Sequence, residues 1–268
     1  MPVPELLQTL LICLAVGACA GVMAGLLGIG GGLVIVPALV WVFHAQGVDD
    51  GIVMHLALGT SLATIVFTSV SSVRAHHRRG AVLWEPVTRL APGIVVGAWL
   101  GAQIADALPT ATLKLVFAIF VLAVSAQIAL GAQPAGQHRL PGRVGMALTG
   151  GLIGAVSGVV GIGGGSLTVP FLTWCQVPIR NAVASSAAVG LPIAVSGALG
   201  YVAAGWNEPL LPSGTLGYVS LTAGAGIAAA SMLTAPLGAR LAHTLPTTLL
   251  RRIFAGFLAL VGLKMLFG

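Results

Sequence analysis

Long apolar stretches alternate with short polar joints along the chain, near 6–27, 33–46, 52–73, 90–106 and 112–131, and again near 144–160, 166–177, 182–204, 215–235 and 250–267. The runs are continuous rather than alternating residue by residue, which predicts membrane helices and not barrel strands. Five runs lie on each side of 132–143, AQPAGQHRLPGR, a polar stretch rich in Pro and Gly. The predicted organisation is therefore a first transmembrane repeat over 1–131, a cytoplasmic linker over 132–143 and a second transmembrane repeat over 144–268. The runs 33–46 and 166–177 are fourteen and twelve residues long, against about 20 for a full span. Each reads either as a re-entrant half-helix or as part of a tilted hairpin, so the count of membrane segments is eight to ten. The run from Leu6 to Leu27 is preceded by Glu5 and no basic residue, and reads as a permanent span rather than a cleaved signal.

The two halves are copies. Residues 17–37 and 150–170 share ten identities in twenty-one, and 101–117 and 238–254 share eight in seventeen. Between these blocks LGTS at 58–61 lies where ASSA falls at 184–187. This is an internal duplication. An odd number of segments per copy makes the second enter the bilayer from the opposite side, the inverted-repeat plan of many secondary transporters.

Composition agrees. The chain is 57% hydrophobic and 7% charged, with mean hydropathy +1.04, whereas soluble domains carry about 25% charged residues. The net charge of +6 would suggest nucleic acid in a soluble protein, but here the basic residues sit in a few loops and read as topogenic. With the basic loop 74–89 placed in the cytoplasm, Arg74, Arg78, Arg79, Arg89, Arg139, Arg143, Arg180, Arg240, Arg251 and Arg252 all fall inside, and only Lys114 and Lys264 outside. Glu5, Asp49, Asp50, Asp106 and Glu208 fall outside, Glu85 inside. Loops 74–89 and 132–143 are thus expected in the cytoplasm, with His76 and His77 solvated in the first. Cys13, Cys19 and Cys175 lie in apolar runs without metal-ligand spacing and read as packing residues.

The repeated blocks GLLGIGGGLVIVP at 25–37 and GVVGIGGGSLTVP at 158–170 carry the chemistry. Neither is a Walker loop, since no Lys-Ser/Thr follows, and GxGxxG spacing is absent. The rows Gly17-Gly21-Gly25, Gly93-Gly97-Gly101 and Gly150-Gly154-Gly158 read as close helix packing. The knots Gly28, Gly30, Gly31, Gly32 and Gly161, Gly163, Gly164, Gly165 read as helix breaks, because consecutive glycines let the backbone adopt positive φ. A new helix then starts near Leu33 and near Ser166, with unpaired N–H groups and about half a positive charge at its N-terminus, which favours an anion. Thr60 and Ser61 in one half, and Ser185 and Ser186 in the other, are candidate hydroxyl donors beside Ser166, against the alternative of back-bonds within their own helices. His55, at the start of a span, is a candidate for proton coupling. No carboxylate lies mid-span, and no catalytic triad, HExxH or acidic pair appears, so neither an enzyme nor a metal or cofactor is expected.

These residues resemble the TauE/SafE family of sulfite and organosulfonate exporters, grouped also with toluenesulfonate uptake permeases. The resemblance rests on the paired knots, on LGTSLAT at 58–64 and on the Leu-Pro pairs 108–109 and 245–246. It implies a multi-pass permease of the bacterial inner membrane for sulfite, sulfoacetate or related sulfonates, working as a secondary transporter with protons as the coupling ion. Gly28, Gly30, Gly31, Gly32, Thr60 and Ser61 match the family's first-half motif, and Gly161, Gly163, Gly164, Gly165 and Ser166 its second. The chain departs from it at Ala184-Ser185-Ser186-Ala187. The expected architecture is an all-α polytopic membrane protein of two inverted repeats of about five segments each. Its expected partners are a small anionic substrate and the lipid bilayer, a homo-oligomer is compatible, and nucleic acid is not expected. An anion channel, or a transporter of a different small solute, is the alternative.

Overall fold

The structure, a computed structural model, describes residues 3–27, 31–130, 139–241 and 247–267, with side chains for 10–26, 31–130, 139–241 and 254–267. Ten helices occupy the described residues: α1 (Val3–Leu27), α2 (Gly32–Ala45), α3 (Val53–His77), α4 (Trp84–Asp106), α5 (Thr110–Ala129), α6 (Arg143–Val160), α7 (Gly165–Trp174), α8 (Ile179–Ala204), α9 (Leu221–Leu241) and α10 (Thr247–Phe267). No strand element appears among the described residues. The protein is an all-α polytopic membrane protein. Six helices, α3, α4, α5, α6, α8 and α9, are long and apolar enough to cross a bilayer.

Two boundaries differ from the sequence reading. The basic loop predicted at 74–89 contracts, because α3 continues to His77 and α4 begins at Trp84. His76 is accordingly buried, with Nε2 3.2 Å from the Gly25 carbonyl, and not solvated. His77 is exposed, as expected, and accepts from Trp84 Nε1. The apolar run at 215–235 also shifts, because α9 starts only at Leu221. Residues 205–220 form an irregular connection that holds Pro209, Pro212 and positive-φ glycines at 214 and 217. Proline removes a donor and glycine opens left-handed conformations, so this segment cannot continue a helix however apolar it is.

The helix contacts come in pairs when α1–α5 are exchanged with α6–α10: α1 packs on α9 as α6 packs on α4, α9 on α3 as α4 on α8, and α2 on α3 as α7 on α8. Two pairs, α3 with α8 and α5 with α10, are their own counterparts. The halves interleave, since the first helix of each lies against the fourth of the other. The glycine rows explain that packing. A Cβ on Gly17, Gly21 or Gly25 would collide with the backbone of α9 at Ile227, Ser231 and Ala235, and one on Gly93, Gly97 or Gly101 with the backbone of α6. Small residues thus let backbones touch where lipid supplies no hydrophobic drive for association.

The centre of the bundle is α3 and α8. Their most apolar windows are 78% and 67% buried, against 33–39% for the other four long helices. The outer helices turn Val96, Trp99, Leu152, Leu233 and Leu260 outward, as lipid-facing surfaces require. Against α3 and α8 lie the short helices. At about 1.5 Å per residue, the 14 residues of α2 and the 10 of α7 fall well short of the roughly 30 Å hydrocarbon core.

Candidate functional site

Both short helices begin the same way. Gly31 caps α2 at φ 78°, ψ −12°, and Gly164 caps α7 at φ 70°, ψ −4°. These are left-handed conformations that cost a side-chain-bearing residue about 1–2 kcal/mol. A Cβ on Gly31 would also stand 2.9 Å from the Ala20 carbonyl. The carbonyl of each cap then accepts the first helical hydrogen bonds, from Val34 and Ile35 at Gly31 and from Leu167 and Thr168 at Gly164. Each knot therefore ends one helix and starts another, as read from the glycines. Gly28 and Gly30 lie outside the described residues.

The two breaks touch. A Cβ on Gly32 would stand 2.6 Å from the Gly161 carbonyl and 3.0 Å from Ile162 Cα. Ser61 donates to the same Gly161 carbonyl at 2.8 Å, so α3 is tied to the break of the other half. The break sits at the mid-height of the central helices, with Gly164 against Ile193 of α8, and with Gly163 O and Ser69 Oγ each 3.1 Å from a Cβ placed on Gly190.

A small cavity of about 10 Å³ opens at this junction, the space of a single water-sized sphere. Ala24 of α1, Thr68, Ser69 and Ser72 of α3, Gly163 of the second knot, and Ser186, Ala187 and Gly190 of α8 line it. The Ser72 hydroxyl is buried without a hydrogen-bond partner. Three more buried hydroxyls cluster at the start of α7: Ser157, Ser166 and Thr168 likewise have no partner. The N–H groups of Gly165 and Ser166 find no acceptor among the described residues. A buried donor left unmade is unfavourable by about 1–3 kcal/mol, and three of these four hydroxyls belong to the residues on either side of the second break.

The other hydroxyls singled out in the sequence are engaged. Thr60 Oγ1 accepts from the Ser220 N–H at 2.9 Å, just ahead of α9, and Ser185 Oγ accepts from the Leu83 N–H at 3.0 Å, just ahead of α4. These two are structural counterparts: each pins the entry of the next long helix. Ser186 donates to Val183 O in its own helix at 2.8 Å and also borders the cavity. His55 is buried, its Nε2 3.1 Å from both the Ala105 and Leu108 carbonyls, its ring 5.1 Å from Tyr218. That position ties α3 to the end of α4. Burial, and then the charges of Asp106 and Glu208, push the Tyr218 phenol up, so it stays protonated beside that histidine.

Thr68, Ser69, Ser72, Ser157, Thr168 and Gly190 were not singled out in the sequence. A signal for the first group exists: Ser61, Thr64, Thr68 and Ser72 recur every three or four residues, a polar stripe on one face of a central helix. Ser157 had none, because its counterpart in the first half is Ala24 and the match is lost.

Among known proteins, the sulfite exporter TauE/SafE family profile matches residues 13–265. A probable membrane transporter protein of Haemophilus influenzae is 39% identical over 259 residues, covering 96% of this chain and 97% of its own. One from Methanocaldococcus jannaschii is 28% identical over 98% of this chain and 97% of its own, and one from Bacillus subtilis 26% identical over 92% and 96%. No solved structure gives a significant match. With a membrane bundle, paired helix breaks, a family profile over nearly the whole chain and near full-length relatives named as probable membrane transporters, this chain belongs to the TauE/SafE sulfite exporter family.

Proposed function

We propose that this membrane transporter moves a small sulfur-containing oxyanion, such as sulfite, sulfoacetate or a related sulfonate, by alternating access. The anion would bind where the α2 and α7 breaks meet. The observation that carries the reading is that contact: Gly32 lies against Gly161 and Ile162, beside a cavity lined by Ser and Thr hydroxyls. Helix N-terminal N–H groups only donate, and Ser and Thr hydroxyls can donate beside them without adding negative charge, which suits an anion better than a metal ion. The exchange symmetry of the helix contacts supports two repeats, over 1–131 and 144–268, joined by the linker 132–143. Rocking of one against the other around the central site is the motion such a plan allows. The arginine distribution supports cytoplasmic placement of the 78–83 turn and the linker, in a bacterial inner membrane.

His55, the proton-coupling candidate, is used in the fold through its Nε2 contacts; its Nδ1 is buried without a partner and is the atom on which coupling would depend. Reconstituted proteoliposomes test the proposal. Uptake of labelled sulfite or sulfoacetate should saturate and show counterflow. Flux that rises linearly with concentration and shows no counterflow would indicate a channel, and absence of flux for all sulfur anions would remove the cargo.

A further inference from the structure

A helix break leaves two kinds of backbone group without partners: N–H groups on the helix it starts and carbonyls before it. The second break shows both. Beside the N–H groups of Gly165 and Ser166, the Gly163 carbonyl accepts no hydrogen bond among the described residues. A Cβ placed on Gly190 would stand 3.1 Å from Gly163 O and 3.1 Å from Ser69 Oγ, so the two oxygens converge on one point that the glycine leaves empty. Gly163, Gly190 and Ser69 border the small cavity, and so does Ser72, whose hydroxyl is buried without a partner. Ser69 Oγ makes no hydrogen bond among the described residues either. Two other hydroxyls on the wall have spent their protons: Thr68 Oγ1 donates to the Thr64 carbonyl at 3.1 Å and Ser186 Oγ to the Val183 carbonyl at 2.8 Å. A hydroxyl has one proton, so what these two have left to offer is lone pairs.

We propose that this cavity binds a single sodium ion, held by Gly163 O, Ser69 Oγ and Ser72 Oγ with Thr68 and Ser186 on its wall, and that the ion is bound together with the transported anion. The inference rests on the anion-transport reading above and adds the co-bound ion to it. Size limits the occupant: about 10 Å³ is roughly one water-sized sphere, and a sulfur atom with three oxygens does not fit. A carbonyl oxygen repels an anion and coordinates a hard cation. Neutral oxygens suit a monovalent ion, since a divalent one loses far more hydration and finds no carboxylate on the wall to replace it. Among the described residues no group of His, Cys, Asp or Glu could hold a transition metal. Of the two common monovalent cations sodium is the smaller, which suits a void of this size. No residue lining the cavity carries a formal charge, so a sodium ion there supplies the countercharge that an anion at the neighbouring α7 start otherwise lacks. In the register that sets LGTS against ASSA, Ser69 and Ser72 of α3 correspond to Val195 and Ala198 of α8, so the other half brings no such pair of hydroxyls. His55, about four helical turns before Ser69, lies apart from this site.

The test uses the full-length protein in lipid nanodiscs at fixed pH and ionic strength, with sodium chloride exchanged for choline chloride or potassium chloride. The thermal midpoint should rise with sodium along a saturating curve, and potassium should need at least about tenfold more ion for the same rise. Ser72→Ala and Ser69→Ala remove hydroxyls that bond to nothing, so each should keep its midpoint in choline while weakening sodium about tenfold. Sulfoacetate, titrated calorimetrically, should bind at least about tenfold more tightly in sodium than in choline, and sodium should tighten by the same factor when sulfoacetate is present. A midpoint indifferent to sodium, with sulfoacetate bound equally in both salts, overturns the sodium site, assigns the cavity to a water and leaves the cargo reading standing. A sodium response unchanged in both variants overturns this location, and an equal response to potassium overturns the choice of ion. Sulfoacetate affinity independent of sodium, where sodium binds, overturns the coupling. A sodium response lost in the variants, without binding of sulfoacetate or sulfite, supports the site and overturns the sulfur cargo.

Discussion

The start of α2 and the start of α7 are one device built twice. In each, a left-handed glycine caps a helix shorter than a full span, and its carbonyl accepts the first helical hydrogen bonds, from the third and fourth residues after it. Their surroundings differ. Gly31 at the α2 start lies against Ala20, and Gly32 against Gly161 and Ile162, whereas the residues on either side of the second break include Ser157, Ser166 and Thr168, buried hydroxyls without a partner among the described residues. Duplication preserved what the backbone must do at both places, because only glycine adopts that φ without strain. Side chains were free to diverge, and the two breaks now differ in the polarity of the residues beside them.

The largest effects should follow from closing the breaks themselves. Gly164→Leu and Gly31→Leu should each abolish transport while the protein still reaches the membrane fraction, since both place a side chain at positive φ against packed neighbours. Wild-type flux from both would refute the break as a functional element. Next is Gly190→Ala. Its Cβ would fill the space between Gly163 O and Ser69 Oγ, and alanine favours the helix by about 1 kcal/mol. Transport should fall about tenfold with the thermal midpoint unchanged or higher; a drop in both would mean that the cavity is a packing feature.

Ser61→Ala probes the tie between the halves. It strands the Gly161 carbonyl and should destabilise the protein by about 1–3 kcal/mol, read as a lower thermal midpoint, with any loss of transport following from that. The smallest effect is expected from Ser157→Ala, which gives the second break the side chain that Ala24 supplies at the first. The Ser157 hydroxyl bonds to nothing and does not line the cavity, so anion affinity should change by less than about twofold. A larger loss would show that the difference between the breaks serves the site.

Much of this was legible in the residues. The apolar runs located all ten helices, and the glycine rows announced which faces would touch. The break in each half followed from three consecutive glycines inside an apolar run, and both short helices start where those glycines end. The hydroxyls were harder. Thr60 and Ser185 recur in both halves, yet that recurrence reflects a structural duty, the pinning of Ser220 and Leu83. Repetition selects for what both halves share, which is architecture; a site that is one-sided is hidden by it. Ser157, paired with Ala24 in the first half, is such a case.

The sequence by itself determined a membrane-embedded helical chain, its duplication and the positions of its breaks, because hydrophobic run length and glycine's φ freedom act locally. Only the tertiary structure decided that the two breaks touch, that α1 crosses to α9 and α4 to α6, and which buried hydroxyls are left without partners. Those facts depend on atoms more than a hundred residues apart, as in the Ser61 to Gly161 bond. No local pattern encodes whether such a hydroxyl finds an acceptor or is left without one.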